Sequence, residues 1–493
     1  MRTSPASTQL GRTGERSVQD YIDEVPCWAD GTVLTSLPLT AMQWRIWGLA
    51  AAGKFFEGLI VFLTGVAIPL IGADFKLDAF QHGIVGGASL SGILLGALTL
   101  GGLADTLGRR TMFIIEMVIF ILFLVLAALS PSFIWLVVCL FGLGLALGCD
   151  YPTAHLIISE SVPSPARGRL VLGAFGFQAV GAVTGTLIGF LILTYYPEID
   201  AWRLMYASVV VPALLVVIGR FFVTESAPWL FVRGRIDEAV NVTKRLLKRS
   251  PAYPTEVNLT CPVGRDDKKS EPGYGALFEP NNRRATVLAA VPWFFQDLAT
   301  YGIGIFTPTI LASTFGHISG HTRNVSDLIM RDILAAKGAA LIDALLIVGI
   351  ICAVVLTDKV GRIRLQILGF IGCAVGLLLA TISLDVAGTA GIVLLFAGFM
   401  LFNFMTNIGP NAQTYLLAGE VFPTKIRGRG AGSAAAFAKI GAVLTAVLFP
   451  ILMADIGTKA LLFGLVATSL IGAAITYRFR IETTGVNLEK IGL

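Results

Sequence analysis

Apolar runs of about 20 residues, each ended by a short polar cluster, recur along the whole of this chain. That length is what a helix needs to cross the hydrocarbon core of a bilayer. The pattern predicts spans near 46–72, 83–104, 111–129, 133–157, 168–195, 203–223, 284–314, 334–357, 364–385, 388–415, 427–453 and 459–478. The polar stretch 224–283 divides them six and six. The expectation is an all-α membrane protein with twelve transmembrane helices in two six-helix bundles, 46–223 and 284–478. A tail at 1–45, a central loop at 224–283 and a tail at 479–493 complete the chain.

The polar clusters also orient it. After the even-numbered spans stand Arg109-Arg110, Arg167 with Arg169, Lys244-Arg245, Lys359 with Arg362, Lys425 with Arg427, and Arg478 with Arg480. Loops after odd spans are short or of mixed charge. Lys and Arg gather on cytoplasmic loops, so both termini are expected in the cytosol. The first 44 residues lack the apolar core of a signal peptide, in keeping with that side. Asp20 to Glu24 could start a short helix, and Trp44 and Trp47 mark the interface before the first span. In the central loop, Ile236 to Leu247 has one apolar face and predicts a helix lying on the membrane surface.

Composition narrows the function. Of 493 residues 55% are hydrophobic and only 14% charged, against about 25% charged in soluble proteins. The net charge of +5 is explained by basic cytosolic loops, so no nucleic-acid partner is implied. Six cysteines show no paired spacing, and no metal cluster, nucleophile–base pair or cofactor motif stands out; an enzyme is disfavoured and no cofactor is expected. Gly48 to Lys54 imitates a P-loop, but Phe55 replaces the Mg²⁺-binding Ser or Thr inside a span.

Candidate chemistry lies within the spans. Trp293, Asp297 and Tyr301 are spaced i, i+4, i+8, which stacks them on one helix face. A carboxylate at membrane depth costs roughly 2.5–3.5 kcal/mol on insertion scales, so it should face a bundle interior or wet cavity. Glu57 precedes Pro69 much as Asp297 precedes Pro308, each after a Phe-Phe pair, and the two look like corresponding positions of a repeat. With Asp150 they would place three carboxylates around one cavity. Such groups repel one another and resist ionisation, which suits proton coupling; structural pairing of Glu57 with Lys54 or Lys439 is the other reading. Lys439 is a lone ammonium in an apolar helix, able to attract an anion or to neutralise a carboxylate. His155, beyond Asp150, could relay protons or simply be a bonded polar residue. Glycines 144, 148, 181, 185 and 189 have small-xxx-small spacings that predict close helix packing.

The halves repeat one another. Asp105 to Arg110 follows span 2 and Asp358 to Arg362 follows span 8. Glu160 precedes Arg167-Gly168-Arg169 by seven residues, and Glu420 precedes Arg427-Gly428-Arg429 by seven. A duplicated six-helix unit with a midplane site is the architecture of alternating-access transporters. These loops, with Glu225-Ser226-Ala227-Pro228-Trp229-Leu230 and Gly419-Glu420-Val421-Phe422-Pro423-Thr424, resemble the major facilitator superfamily, in its sugar-porter-like branch. Gly148-Cys149-Asp150-Tyr151-Pro152, the Trp293 to Tyr301 pattern, Gly409-Pro410-Asn411 and Lys439-Ile440-Gly441-Ala442 are similar to the phosphate:proton symporters.

That resemblance implies a substrate site lined by Tyr151, Gln178, Trp293, Asp297, Tyr301, Asn411 and Lys439. It implies a proton path through Asp150, and the repulsion among the three carboxylates adds Glu57 and Asp297 as proton-coupling residues. Asp105, Arg109, Arg110, Glu160, Arg167, Asp358, Arg362, Glu420 and Arg427 would form cytoplasmic latches that break as the carrier changes state. Two departures stand out: Glu57-Gly58-Leu59-Ile60 carries one carboxylate where the family tends to have Asp-x-x-Asp, and Thr153-Ala154-His155 follows Pro152. The expected protein is a proton-coupled symporter of a cell's plasma (inner) membrane, working as a monomer on a small polar solute. Phosphate is favoured; a sugar or organic acid, or a non-transporting sensor, are the alternatives.

Overall fold

The structure is a computed structural model that describes residues 17–25, 38–99, 103, 107–248, 257–259, 274–319, 325–423 and 426–484. Its ordered elements are helices. After a short α1 (Val18–Asp23) come α2 (Ala41–Phe75), α3 (Ala79–Thr99), α4 (Arg109–Ala128), α5 (Phe133–Ser159), α6 (Ser164–Tyr195) and α7 (Ala201–Phe221). Two short helices follow, α8 (Ala227–Val232) and α9 (Ile236–Leu246). The second half holds α10 (Arg283–Ser319), α11 (Val325–Val360), α12 (Arg362–Ser383), α13 (Thr389–Ile408), α14 (Pro410–Glu420), α15 (Arg427–Asp455) and α16 (Gly457–Phe479).

Among the described residues, eleven segments are long and apolar enough to cross a membrane, counting α13 and α14 as one. The chain is an integral, multi-pass membrane protein. The seventh predicted span is α10, as long as its neighbours but not among the eleven. Gln296, Asp297, Thr300 and Tyr301 occupy its middle and lower its hydropathy. The tenth predicted span is broken at Gly409-Pro410, where φ −108° and ψ −104° depart from helical values. A proline cannot supply the N–H that would continue the ladder, and Gly409 lies against Gly369, where a side chain would meet backbone at 2.5 Å.

The glycines behave as their spacing predicts. A Cβ on Gly144 would stand 1.9 Å from the Ser89 carbonyl oxygen, and one on Gly148 2.3 Å from that of Ile93, so α5 lies directly on α3. Gly181 and Gly185 bring α6 equally close to the backbone of α2 at Phe55 and Leu59. Between the halves, α3 packs on α15, α6 on α11 and α2 on α10. At the end remote from the termini this joint is tight: Cβ atoms on Gly65 and Gly83 would meet the Ile305 and Val447 carbonyls at 2.5 and 2.3 Å.

At the other end, α1 begins with a reciprocal capping box between Ser17 and Asp20. It buries Val18, Tyr21 and Ile22 in an apolar cluster shared with α2, α5 and α8, and Asp23 accepts from the backbone N–H and hydroxyl of Ser164, both at 2.7 Å, at the start of α6. The expectation of a membrane-surface helix at 236–247 is corrected here. Ala239, Thr243 and Leu246 of α9 are buried, Leu246 and Leu247 pack with Ile46 and Ala50 of α2, and Leu246 O accepts from Thr40 Oγ1 at 2.6 Å. Its apolar face is covered by protein, because the amino-terminal helices fold over it.

Candidate substrate and ion-pair site

Midway along the molecule, charged side chains from both halves meet. Lys439 of α15 lies 3.1 Å from Asp297 Oδ2 of α10 and 3.7 Å from Glu57 Oε1 of α2. It donates to Tyr301 Oη at 2.7 Å and stands over that ring, 4.4 Å from its centre. Tyr301 donates to Glu57 Oε1 at 3.0 Å; Gln178 of α6 donates to Glu57 Oε1 at 3.2 Å and Tyr301 Oη at 3.0 Å. Lys54, one turn before Glu57, donates to Glu57 Oε2 at 3.1 Å. All four charged groups are at most 5% exposed. Two ammonium groups and two carboxylates therefore form one buried, formally balanced network that ties α2 and α6 to α10 and α15.

Asp150 stands apart from it. The expectation of three carboxylates around one cavity is corrected: Asp150 Oδ1 accepts from Arg220 Nη2 at 2.9 Å, and the same guanidinium reaches Glu116 Oε1 at 2.7 Å. Arg220 also donates to the carbonyls of Phe113 at 2.6 Å and Leu49 at 3.3 Å, and lies over the Phe113 ring. All three charged side chains are buried. Two carboxylates share one cation, and Lys54 is the charge that links this triad to Glu57. The arrangement depends on Gly53, where a Cβ would fall 1.8 Å from Asp150 Oδ2. Gly53→Ala is expected to push Asp150 off Arg220 and cost about 1–3 kcal/mol, as overpacking does. A thermal-melt comparison with Gly48→Ala, where a Cβ meets nothing within 4 Å, checks it.

Near the termini the two halves carry the same construction. Gly108 and Gly361, with φ of +101° and +98°, precede α4 and α12; only glycine takes that conformation without strain. Arg109 pairs with Glu160 at 3.2 Å, and Arg362 with Glu420 at 3.2 Å. Glu225 accepts from the N–H of Arg110 at 2.9 Å, while Glu482 accepts from those of Arg362 and Ile363 at 3.2 Å, so each caps a helix start. Ser226 and Thr483 donate to Glu160 and Glu420 respectively. Burial alone would lift the Glu482 carboxyl; the Thr484 hydroxyl and the N–H groups of Thr484, Ile363 and Arg362 outweigh it and hold it below the usual range.

Of the residues expected at the substrate site, Gln178, Asp297, Tyr301 and Lys439 meet directly. Trp293 is buried one turn before Asp297 and packs edge-on against Tyr415, 6.1 Å between ring centres. Asn411 bonds Asn407 at 2.6 Å, at the break between α13 and α14. The backbone of Tyr151 continues α5, while its side chain lies outside the described residues, as do Asp105 and the Arg427 side chain. Arg167 bonds Ser164 Oγ at 3.4 Å, and Glu160 turns to Arg109 and Ser226. Asp358 pairs with Arg362 at 2.9 Å, and the Arg110 guanidinium donates to Phe221 O at 2.7 Å. His155 faces Tyr415 Oη at 3.4 Å. Sequence reasoning missed Glu116 and Arg220, although each is an ionisable residue in an apolar run. It took Lys54 only as a pairing partner, and it missed the match of Glu482-Thr483 to Glu225-Ser226.

The family model described as "Sugar (and other) transporter" matches residues 49–492. The inner membrane metabolite transport protein YgcS of Escherichia coli is 30% identical over 464 residues, covering 93% of this chain and 96% of that protein. A Schizosaccharomyces pombe protein assigned by name to inorganic phosphate transport is 26% identical over 488 residues, covering 85% of this chain and 83% of its own. Among solved structures, the inward open conformation of the E. coli xylose transporter XylE matches with a TM-score of 0.73 at 18% identity, covering 91% of this chain and 99% of that one.

Proposed function

Because the chain belongs to the sugar (and other) transporter family, a sugar-porter-like branch of the major facilitator superfamily, we propose that it imports a small polar solute with protons by alternating access. Inorganic phosphate is the favoured substrate. In this reading α10 is the remaining membrane crossing, residues 46–223 and 284–478 are the two moving bundles, both termini are cytosolic, and the carrier works as a monomer.

The observation that carries it is Lys439 held between Asp297 and Glu57, with the Tyr301 hydroxyl and Gln178 completing the shell. The resting network is formally balanced, so an anion entering it needs an additional positive charge. A proton on Glu57 or Asp297 supplies that charge: it releases Lys439 from one carboxylate and leaves the ammonium free to meet an oxyanion. Tyr301, Gln178 and the Trp293 indole supply directional donors for the remaining oxygens. Lys439 and Glu57 come from opposite halves, so changing which carboxylate Lys439 pairs with changes what holds the halves together. Deprotonation after release restores the ion pairs and resets the carrier. Asp150, sharing Arg220 with Glu116, is the proton's way station beside Lys54.

Radiolabelled phosphate uptake into proteoliposomes, with and without an inward proton gradient, tests this. Gradient-driven accumulation by wild type is expected, with loss of accumulation in Asp297→Asn. No phosphate uptake by folded protein would discard phosphate. The second reading, a sugar or organic-acid porter, is favoured by the likeness to the xylose transporter and by the neutral donors Gln178, Tyr301 and Asn411, which suit hydroxyls equally well. A neutral sugar has no use for a released ammonium, so uptake of labelled sugars in the same vesicles separates the two.

A further inference from the structure

The residues that start α4 and end α7, together with α8 and α9, enclose a cavity of about 340 Å³ that takes no part in the network above. Two side chains in its wall hold donors that the protein leaves unused. Thr224 is 4% exposed, and its hydroxyl has no hydrogen-bond partner among the described residues. The Arg110 guanidinium gives Nη2 to Phe221 O at 2.7 Å, while its buried Nε has no acceptor there. Buried donors without acceptors are costly and rare. Here two of them belong to one cavity, which points to a ligand that brings oxygen acceptors.

The charges in the wall favour an anion. Arg235 is held by Glu238 through two contacts of 2.7 Å. Glu225 accepts from the N–H groups of Arg110 and Ser226, each at 2.9 Å, so its charge is spent on those backbone groups. Arg245 of α9 is exposed and has no ion pair among the described residues. Three arginines against two glutamates leave one positive charge, and Lys244 and Lys248 are exposed close by in sequence.

Apolar surface leads away from the cavity. Thr111, in its wall, begins an exposed stripe on α4 that continues through Ile115, Val118 and Leu122 to Val125. Phe221, also in the wall, ends a similar exposed stripe on α7 with Leu214 and Ile218. Spacings of three and four residues keep each stripe on one helix face, and α4 packs on α7. From Thr111 to Val125 the stripe rises about 21 Å, more than half of a hydrocarbon core about 30 Å thick. A basic cavity at the head of two lipid-facing stripes fits a ligand with an anionic head and long apolar chains.

We propose that this cavity is a headgroup site for an anionic phospholipid. Arg110, Arg245 and the Thr224 hydroxyl receive the phosphate, and the acyl chains lie along the stripes of α4 and α7. Basic pockets between membrane helices bind anionic headgroups by the same chemistry. The site rests on the membrane-crossing helices alone, and on neither the transported substrate nor proton coupling.

Native mass spectrometry of the full chain in detergent, titrated with dioleoylphosphatidylglycerol or with phosphatidylcholine of the same chains, tests it. One phosphatidylglycerol should be retained in preference to phosphatidylcholine; equal retention would overturn the proposal. Arg245→Gln should weaken phosphatidylglycerol binding about fivefold, the share of one arginine near a membrane surface. Lys459→Gln, which removes one charge at the opposite end of the molecule, should leave it unchanged. Equal losses in both variants would mean that net charge, and not this cavity, holds the lipid. Thr224→Val should also weaken binding, yet melt no lower than wild type without lipid, because the hydroxyl it removes has no partner. Unaltered lipid binding in Thr224→Val and Arg245→Gln would remove the site. Excess inorganic phosphate, which has no chains for the stripes, should not displace the lipid; displacement would assign the cavity to a free anion instead. None of these readouts measures transport, so failure of the uptake experiment leaves them interpretable.

Discussion

Lys439→Met is expected to abolish accumulation of labelled phosphate and to lower stability by about 3–5 kcal/mol, the usual consequence of removing one partner from a buried ion pair. The ammonium serves Asp297 at 3.1 Å, Glu57 at 3.7 Å and Tyr301 Oη at 2.7 Å. Without it, Lys54 is the nearby cation left among the described residues for two buried carboxylates on facing halves, and Lys54 is already committed to Glu57. The double variant Lys439→Met with Asp297→Asn removes both charges together. It should recover most of the lost stability and none of the uptake, because the balanced network folds while the anion site stays vacant of its cation. Thermal melts and uptake on the same preparations separate the two effects. Unaltered phosphate accumulation by the single variant would remove Lys439 from the site.

Arg220→Met carries the second large effect, also about 3–5 kcal/mol of destabilisation, with loss of proton-driven uptake. One guanidinium answers Asp150, Glu116 and the carbonyls of Phe113 and Leu49, and it is 0% exposed. Arg220→Lys should not rescue it, since a single ammonium cannot reproduce the planar fork that reaches four acceptors on three helices. Adding Glu116→Gln to Arg220→Met removes one stranded charge and should restore part of the stability. A melt of the double variant no better than the single would mean that Glu116 already finds another partner.

Much of this site was legible before any coordinates. Asp297 and Tyr301 were marked by a polar break in an apolar run, and the i+4 spacing placed them on one face that does meet Lys439. The repeat of Glu160 and Glu420 was likewise readable, and each acid receives the arginine of its own half's loop motif. Asp150 was recognised as important but put in the wrong company. Its partner, Arg220, lies 70 residues away at the end of α7, and nothing in local spacing connects them. The membrane-surface reading of α9 failed for a similar reason: an apolar face shows that something covers it, not whether lipid or protein does.

The sequence by itself determined that this chain is a membrane protein of helices, that its halves repeat and that charged residues are buried in the spans. Those conclusions follow from local quantities: run length against bilayer thickness, helical period, and the cost of an ion in hydrocarbon. The tertiary structure alone decided how the charges pair. Close glycine contacts set which helices touch and at what register, and ion-pair energies change over one or two ångströms. Lys439 thus joins Glu57 and Asp297, and Arg220 takes Asp150 and Glu116.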